Sequence, residues 1–172
     1  SSPVTPATVF TVDLDTGVRT LLKQQEVLGG FDPAHYQTER RWATAPDGAR
    51  IPVSMVARRD RPPGPGPCLL YVYGAYEVSV DPTFSAGRLS LLDRGFAFAI
   101  AHVRGGGEMG RRWYLDGKLD AKHHTFSDTI ACARMLVADE VTAPEHLVVR
   151  GGSAGGLTVG AVLNEAPELF AV

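Results

Sequence analysis

The sequence has little cysteine, no excess of charge of either sign, no long apolar run and no initiating methionine. Cys68 and Cys132 are the only cysteines, and each lies in an apolar stretch. That excludes a disulfide framework and reads as two reduced, buried thiols, which fits a cytoplasmic protein. The formal net charge is −2, with acids and bases mixed along the chain, so nothing calls for nucleic acid or an anionic membrane as partner. No apolar run reaches the roughly 18 residues needed to cross a bilayer. The opening SSPVTPATVF lacks the basic segment and apolar core of a secretory signal. Without a starting methionine, the chain is expected to be processed or an internal piece of something longer. Five histidines are scattered without metal-ligand spacing, and neither a metal nor an organic cofactor is expected. What is present is globular in composition: 172 residues, 44% apolar and 21% charged, enough for one domain with a sizeable core.

Residues 1–30 differ from the rest. TVFTVDLDTGVRTLLKQ is two extended runs joined at Asp15-Thr16-Gly17, with alternation of period two, and predicts a β-hairpin. One hairpin is marginal alone and nothing else in this stretch can pair with it. GGFDPAHY (29–36) reads as a linker. A second hairpin follows, QTERRWATA and RIPVSMVARR around Pro46-Asp47-Gly48. CLLYVYG (68–74), FAFAIAHV (96–103) and HLVVRG (146–151) are short apolar runs suited to strands covered on both faces. Helical spacing marks 85–95, 125–140 and 154–167. In the second of these, Phe126, Ile130, Ala133, Met135 and Val137 favour one side. LFAV (169–172) has the character of a further strand starting. Strands alternating with helices predict an α/β fold with a parallel sheet covered on both faces.

Gly151-Gly152-Ser153-Ala154-Gly155 satisfies G-x-S-x-G between a strand and a helix, the context of a nucleophile elbow. A serine on a sharp strand-to-helix turn leaves its hydroxyl exposed at the helix N-terminus. Glycines two before and two after it remove side chains that would clash, and the Ala154 N–H points where an oxyanion would form. The alternative is a glycine-rich turn that packs a helix close to a sheet. Gly105 to Gly110 fits G-x-G-x-x-G after a strand, the dinucleotide fingerprint of a nucleotide-binding oxidoreductase. The bulky RRWYLDGKLD that follows, and HHTFSD where a second strand should end in an acid, speak against it. Tyr73, at the end of a strand, is either a half-buried aromatic or a phenol donor to an oxyanion. Glu108 is either a solvated loop charge or a group that binds a substrate cation. His102, His123 and His124 are the candidate bases. The nucleophile-elbow fold has the chain order Ser, acid, His, and the 19 residues after Ser153 hold Glu165 and Glu168 but no histidine.

RLSLLDRGFAFAIAHVRGGGEMGRRWYLDGK, TFSD and GGSAGG together resemble the prolyl oligopeptidase family of serine peptidases, and SLLDRG, HVRGGGE and WYLDGK resemble its oligopeptidase B branch. The resemblance is carried by residues 68–172 in motifs and by 1–67 in layout. It implies the N-terminal part of an α/β-hydrolase domain (36–172) preceded by the last strands of a β-propeller (1–35). It implies Ser153 as nucleophile, with Tyr73 and the Ala154 N–H as oxyanion donors. Val72 stands where the family's YGYG-like segment has glycine. Glu108 becomes a candidate for recognising Arg or Lys at P1 of short peptide substrates. The family's catalytic Asp and His lie beyond the elbow, so the propeller and the C-terminal half of the catalytic domain are expected to lie outside this chain. An esterase or an aminopeptidase on the same fold is the nearer alternative.

Overall fold

The computed structural model describes residues 2–171. Seven strands and four helices follow in order: β1 (Thr8–Val12), β2 (Arg19–Gln24), β3 (Tyr36–Thr44), β4 (Arg50–Arg58), β5 (Cys68–Val72), α1 (Ala86–Leu92), β6 (Ala97–Ala101), α2 (Arg111–Leu115), α3 (His123–Ala138), β7 (Leu147–Arg150) and α4 (Ala154–Glu165). β1 and β2 form a separate two-stranded antiparallel sheet. The Asp13 carboxylate accepts from the Asp15 and Thr16 amides and closes its turn. Both faces of this hairpin are open, with Phe10, Leu21 and Leu22 exposed.

The other five strands make one sheet in the order β3-β4-β6-β5-β7. Only β6, β5 and β7 run parallel. β3 and β4 are antiparallel because a tight turn joins them, and β4 meets β6 antiparallel, so the sheet is mixed rather than parallel throughout. Alternation along the central strands sorts the core into two layers. Cys68, Leu70 and Val72 of β5, with Ala97, Ala99 and Ala101 of β6, face α3 and α4. The alanines let those helices come close to the sheet. Leu69, Phe98 and Ile100 face the other way, packing with Leu92 of α1. The sheet is therefore covered on both sides, as the apolar strand runs predict, and the architecture is α/β.

Three expectations need correction. On α3, Ile130 and Ala133 are buried as expected, but Phe126, Met135 and Val137 are only partly covered, and Thr125, Asp128, Thr129, Cys132 and Leu136 share the buried side. Polar residues occupy the inner face because they have partners there. Residues 29–36 are more than a linker: Phe31 stacks on Tyr36 at 5.3 Å and meets Phe84 edge-on at 5.0 Å. Pro167–Leu169 is a 3-10 turn, and after it the Ala171 amide makes a single hydrogen bond to Leu147 O. No assigned strand occupies 169–171, and Val172 lies outside the described residues.

The inner face of α3 holds a buried ion pair. Asp128, fully buried, takes two hydrogen bonds from the Arg104 guanidinium (2.9 and 2.6 Å) and one from the Arg104 amide (3.0 Å). Asp47, from the β3–β4 turn, takes two more guanidinium donors. Burial alone would lower the Arg104 pKa, but the hydrogen bonds to Asp128 and Asp47 outweigh it and raise it. The hydrogen bond from Arg104 holds Asp47 below the usual carboxylate range.

Asp128→Ala leaves a buried guanidinium short of its main partner and is expected to destabilise the fold by about 3–5 kcal/mol in denaturant unfolding. Asp47 is partly exposed and its pair is screened, so Asp47→Asn is expected to cost no more than about 1 kcal/mol. Because the folded-state pKa of Asp47 is depressed, its contribution is present above pH ~4 and is lost as pH falls through the lowered value. Melts of wild type and Asp47→Asn should converge at acid pH, and a gap that widens there would contradict the pairing.

Candidate active site

The chain leaves β5 toward α1 on one face of the sheet and leaves neighbouring β7 into α4 on the opposite face. Adjacent parallel strands whose connections diverge in this way open a crevice beyond their carboxyl ends, the usual ligand position in such sheets. Tyr73 and Ser153 flank that crevice, one residue past β5 and three past β7.

Ser153 occupies φ 51°, ψ −121°, a conformation that costs a non-glycine residue about 1–3 kcal/mol. It is exposed, and its hydroxyl does not cap α4. The turn is possible because a Cβ on Gly151 would collide with the Gly155 carbonyl, and one on Gly155 would come within 2.7 Å of Val72 O. Gly152 and Gly156 have open space instead. Ala154 is the first residue of α4, so its N–H has no partner within the helix, and none takes it elsewhere among the described residues. The Tyr73 ring passes 3.6 Å from where a Gly155 Cβ would be, and its phenol has no hydrogen-bond partner among the described residues. An exposed hydroxyl in a strained turn, a free backbone donor and a free phenol thus share one end of the sheet. A cleft of about 290 Å³ opens beside Ala154, with Tyr76, Tyr114, Lys118, Lys122 and Leu157 in its wall.

The three histidines are engaged elsewhere. His102 is buried, its Nε2 2.8 Å from Ser54 Oγ and its Nδ1 3.5 Å from Glu108 Oε1. β6 and β7 flank β5, so His102 lies about two strand spacings, roughly 10 Å, from the strand that carries Ser153. Ser54 is mid-strand and buried, so Ser54-His102-Glu108 holds the sheet rather than forming a second nucleophilic centre. The Nδ1 atoms of His123 and His124 sit on the Asp120 and Asp116 carbonyls. Burial pushes the Cys68 thiol up to about 12 and Cys132 well above its ordinary value, which makes both poor nucleophiles.

Glu108 follows β6 at the same sheet end, but its side chain turns inward. Oε1 accepts from the Val80 amide at 3.0 Å, and the carboxylate lines a cavity of about 340 Å³ with Arg40, Trp42 and His102. That cavity and the cleft beside Ala154 share no residue. Glu108 thus has a hold on the loop after β5 and is not brought to the cleft that Ala154 lines. The dinucleotide reading of Gly105–Gly110 falls. Gly105 packs on the Gly74 carbonyl and Gly107 on that of Glu77, and the helix that follows is only five residues long. The glycines let loops pack, and no helix N-terminus is aimed at a pyrophosphate.

Lys122 and Asp128 were not singled out by the sequence reading. The spacing Thr125, Asp128/Thr129, Cys132, Leu136 is the signal that marks Asp128 as buried. Lys122 has no such signal, since its partner is a backbone carbonyl.

Residues 82–172, 91 of 172, match the model of the prolyl oligopeptidase family. This chain belongs to the prolyl oligopeptidase family. Among family members it is similar to dipeptidyl aminopeptidase BI of Pseudoxanthomonas mexicana, 50% identical over 100% of this chain and 24% of that protein. It is likewise similar to protease 2 of Moraxella lacunata, 45% identical over 99% of this chain and 25% of that one. The structure of oligopeptidase B from Leishmania major superposes with a TM-score of 0.93 at 52% identity, covering 99% of this chain and 24% of that one. The chain thus spans about a quarter of the length of the relatives it matches.

The two glycine pairs separate the turn's steric demands from mere flexibility. Gly151→Ala is expected to disrupt the turn and abolish reaction of Ser153 with a fluorophosphonate in the full-length protein. Gly152→Ala should react at a rate near wild type, and Gly156→Ala, inside α4, should stabilise by up to about 1 kcal/mol. Equal tolerance at 151 and 152 would contradict the described turn.

Proposed function

We propose that these residues are the nucleophile-bearing part of a serine oligopeptidase that hydrolyses short peptides. The observation that carries this reading is Ser153 in its strained turn, with the Ala154 N–H and the Tyr73 phenol unpartnered at the same crevice. Ser153 Oγ attacks the scissile carbonyl, and the amide and the phenol stabilise the tetrahedral oxyanion. The base that takes the hydroxyl proton, and the acid that orients it, come from chain outside these residues. All three candidate histidines here are committed to other partners. The β1–β2 hairpin, with apolar residues exposed on it, is read as the end of a β-propeller that precedes the catalytic domain. A cytoplasmic location fits the two free, buried cysteines.

Cleavage after Arg or Lys is the preference proposed, on the likeness to oligopeptidase B. The acid that reads the basic side chain also lies outside these residues, because the cleft beside Ala154 is walled by Lys118 and Lys122 and Glu108 faces away from it. A second reading, release of dipeptides from a free N-terminus, is favoured by the 50% identity to a protein named dipeptidyl aminopeptidase BI. Hydrolysis of N-blocked against N-free arginyl amides separates the two.

In the full-length enzyme, Ser153→Ala is expected to lower kcat by more than about a thousandfold. Tyr73→Phe should lower it by about 10²–10³, the usual loss of one oxyanion donor. Residues 1–172 alone should show no more than trace hydrolysis. Robust turnover by residues 1–172, abolished by Ser153→Ala, would place a working base within them and overturn this account. Glu108→Gln should lower rates on arginyl and neutral substrates alike, and a selective loss on arginyl substrates would return Glu108 to specificity.

A further inference from the structure

The segment after β5 carries Tyr73, and it is held at one carbonyl. Gly74, the next residue, sits at φ 67°. Its carbonyl oxygen rests against Gly105, where any Cβ would strike it. The same oxygen accepts a hydrogen bond from Lys122 Nζ at 2.5 Å. Lys122 also donates to Thr125 Oγ1 at 3.2 Å, and Thr125 in turn donates to Arg104 O at 2.7 Å. A Cβ on Gly74 would meet Thr125 Cγ2 at 2.5 Å, so the segment packs against the start of α3 where only glycine fits. The hold reaches the phenol through a short path, because the Tyr73–Gly74 peptide is the only covalent link between the clamped carbonyl and a ring that is otherwise without a polar anchor.

Lys122 is half-buried in the wall of the cleft beside Ala154. An ordinary surface lysine at a helix start would leave its ammonium in water. Here burial holds it below the usual lysine range, a desolvation cost that the helix itself gives no reason to bear. On a reading that makes Tyr73 an oxyanion donor, we infer that Lys122 is a positioning residue for catalysis, clamping the Gly74 carbonyl so that the Tyr73 phenol is aimed at the oxyanion. Oxyanion donors act through placement, and misplacement by about 1 Å costs on the order of a hundredfold.

The test uses the full-length enzyme with an arginyl amide substrate and four proteins besides wild type: Lys122→Met, Lys122→Arg, Tyr73→Phe and the Lys122→Met/Tyr73→Phe double variant. Lys122→Met is expected to lower kcat roughly 10- to 100-fold with KM within about twofold. Lys122→Arg, which can still donate to Gly74 O, should recover most of the rate. In the Tyr73→Phe background, Lys122→Met should cost less than about twofold, since the group it aims is gone. A second readout needs no turnover. In enzyme labelled with ¹³Cζ-tyrosine, the resonance lost in Tyr73→Phe should shift in Lys122→Met. An undiminished loss in the Tyr73→Phe background would show that Lys122 acts elsewhere and overturn the inference. So would an unmoved Tyr73 resonance with unchanged kcat. A fully active Tyr73→Phe enzyme would overturn the donor reading and the catalytic half of the inference, while the resonance shift reports the positional half separately.

Discussion

The bidentate pair between Arg104 and Asp128 is the interaction on which the working end of the sheet depends. It sits in the core, where a lone guanidinium or a lone carboxylate would be costly, so each holds the other in place. Through it the loop after β6 is bound to the inner face of α3. Arg104 also spends its amide on Asp128 and its carbonyl on Thr125, which leaves that residue no freedom. Gly105 is thereby set against Gly74 and Gly117, and three loops from three elements meet through glycine. The floor of the cleft is this junction. An apolar pair of equal volume would give comparable stability, but it would not fix loop backbones by hydrogen bonds.

On that floor the elbow is a steric device more than an electrostatic one. Gly151 and Gly155 face each other where no side chain fits, and the strain at Ser153 is the consequence. Its backbone places the hydroxyl outward and leaves the first helical N–H without a partner. The neighbouring strand β5 delivers Tyr73 against the same glycine. The divergence of β5 and β7 connections to opposite faces opens the space between them. The placement of Ser153, the Ala154 N–H and Tyr73 is therefore an outcome of sheet topology and two glycines.

Much of this was legible in residues 146–167, because an apolar strand, two spaced glycines and a helical pattern all point to one strand–turn–helix. The central strands were legible for the same reason. The inner face of α3 was legible only in part: Ile130 and Ala133 are buried as read, but Asp128 and Thr129 are buried too, and a polar residue at a core position hides the apolar stripe that periodicity detects. The inward turn of Glu108 was not legible either, because a glutamate in a loop carries no sign of the backbone amide it will cap. The packing of Phe31 on Tyr36 and Phe84 joins residues far apart in sequence, which no local pattern records. The family resemblance supplied what local patterns lacked, chiefly the roles of Tyr73 and of groups beyond Ser153.

The central claim is that Ser153 is the nucleophile of a larger hydrolase. Labelling the full-length protein with a fluorophosphonate and mapping the adduct by mass spectrometry tests it most directly. The account predicts a single adduct, on the peptide that contains Ser153, formed in step with loss of peptide hydrolysis. An active enzyme that loses its activity through an adduct on another serine, or that carries none, would contradict it.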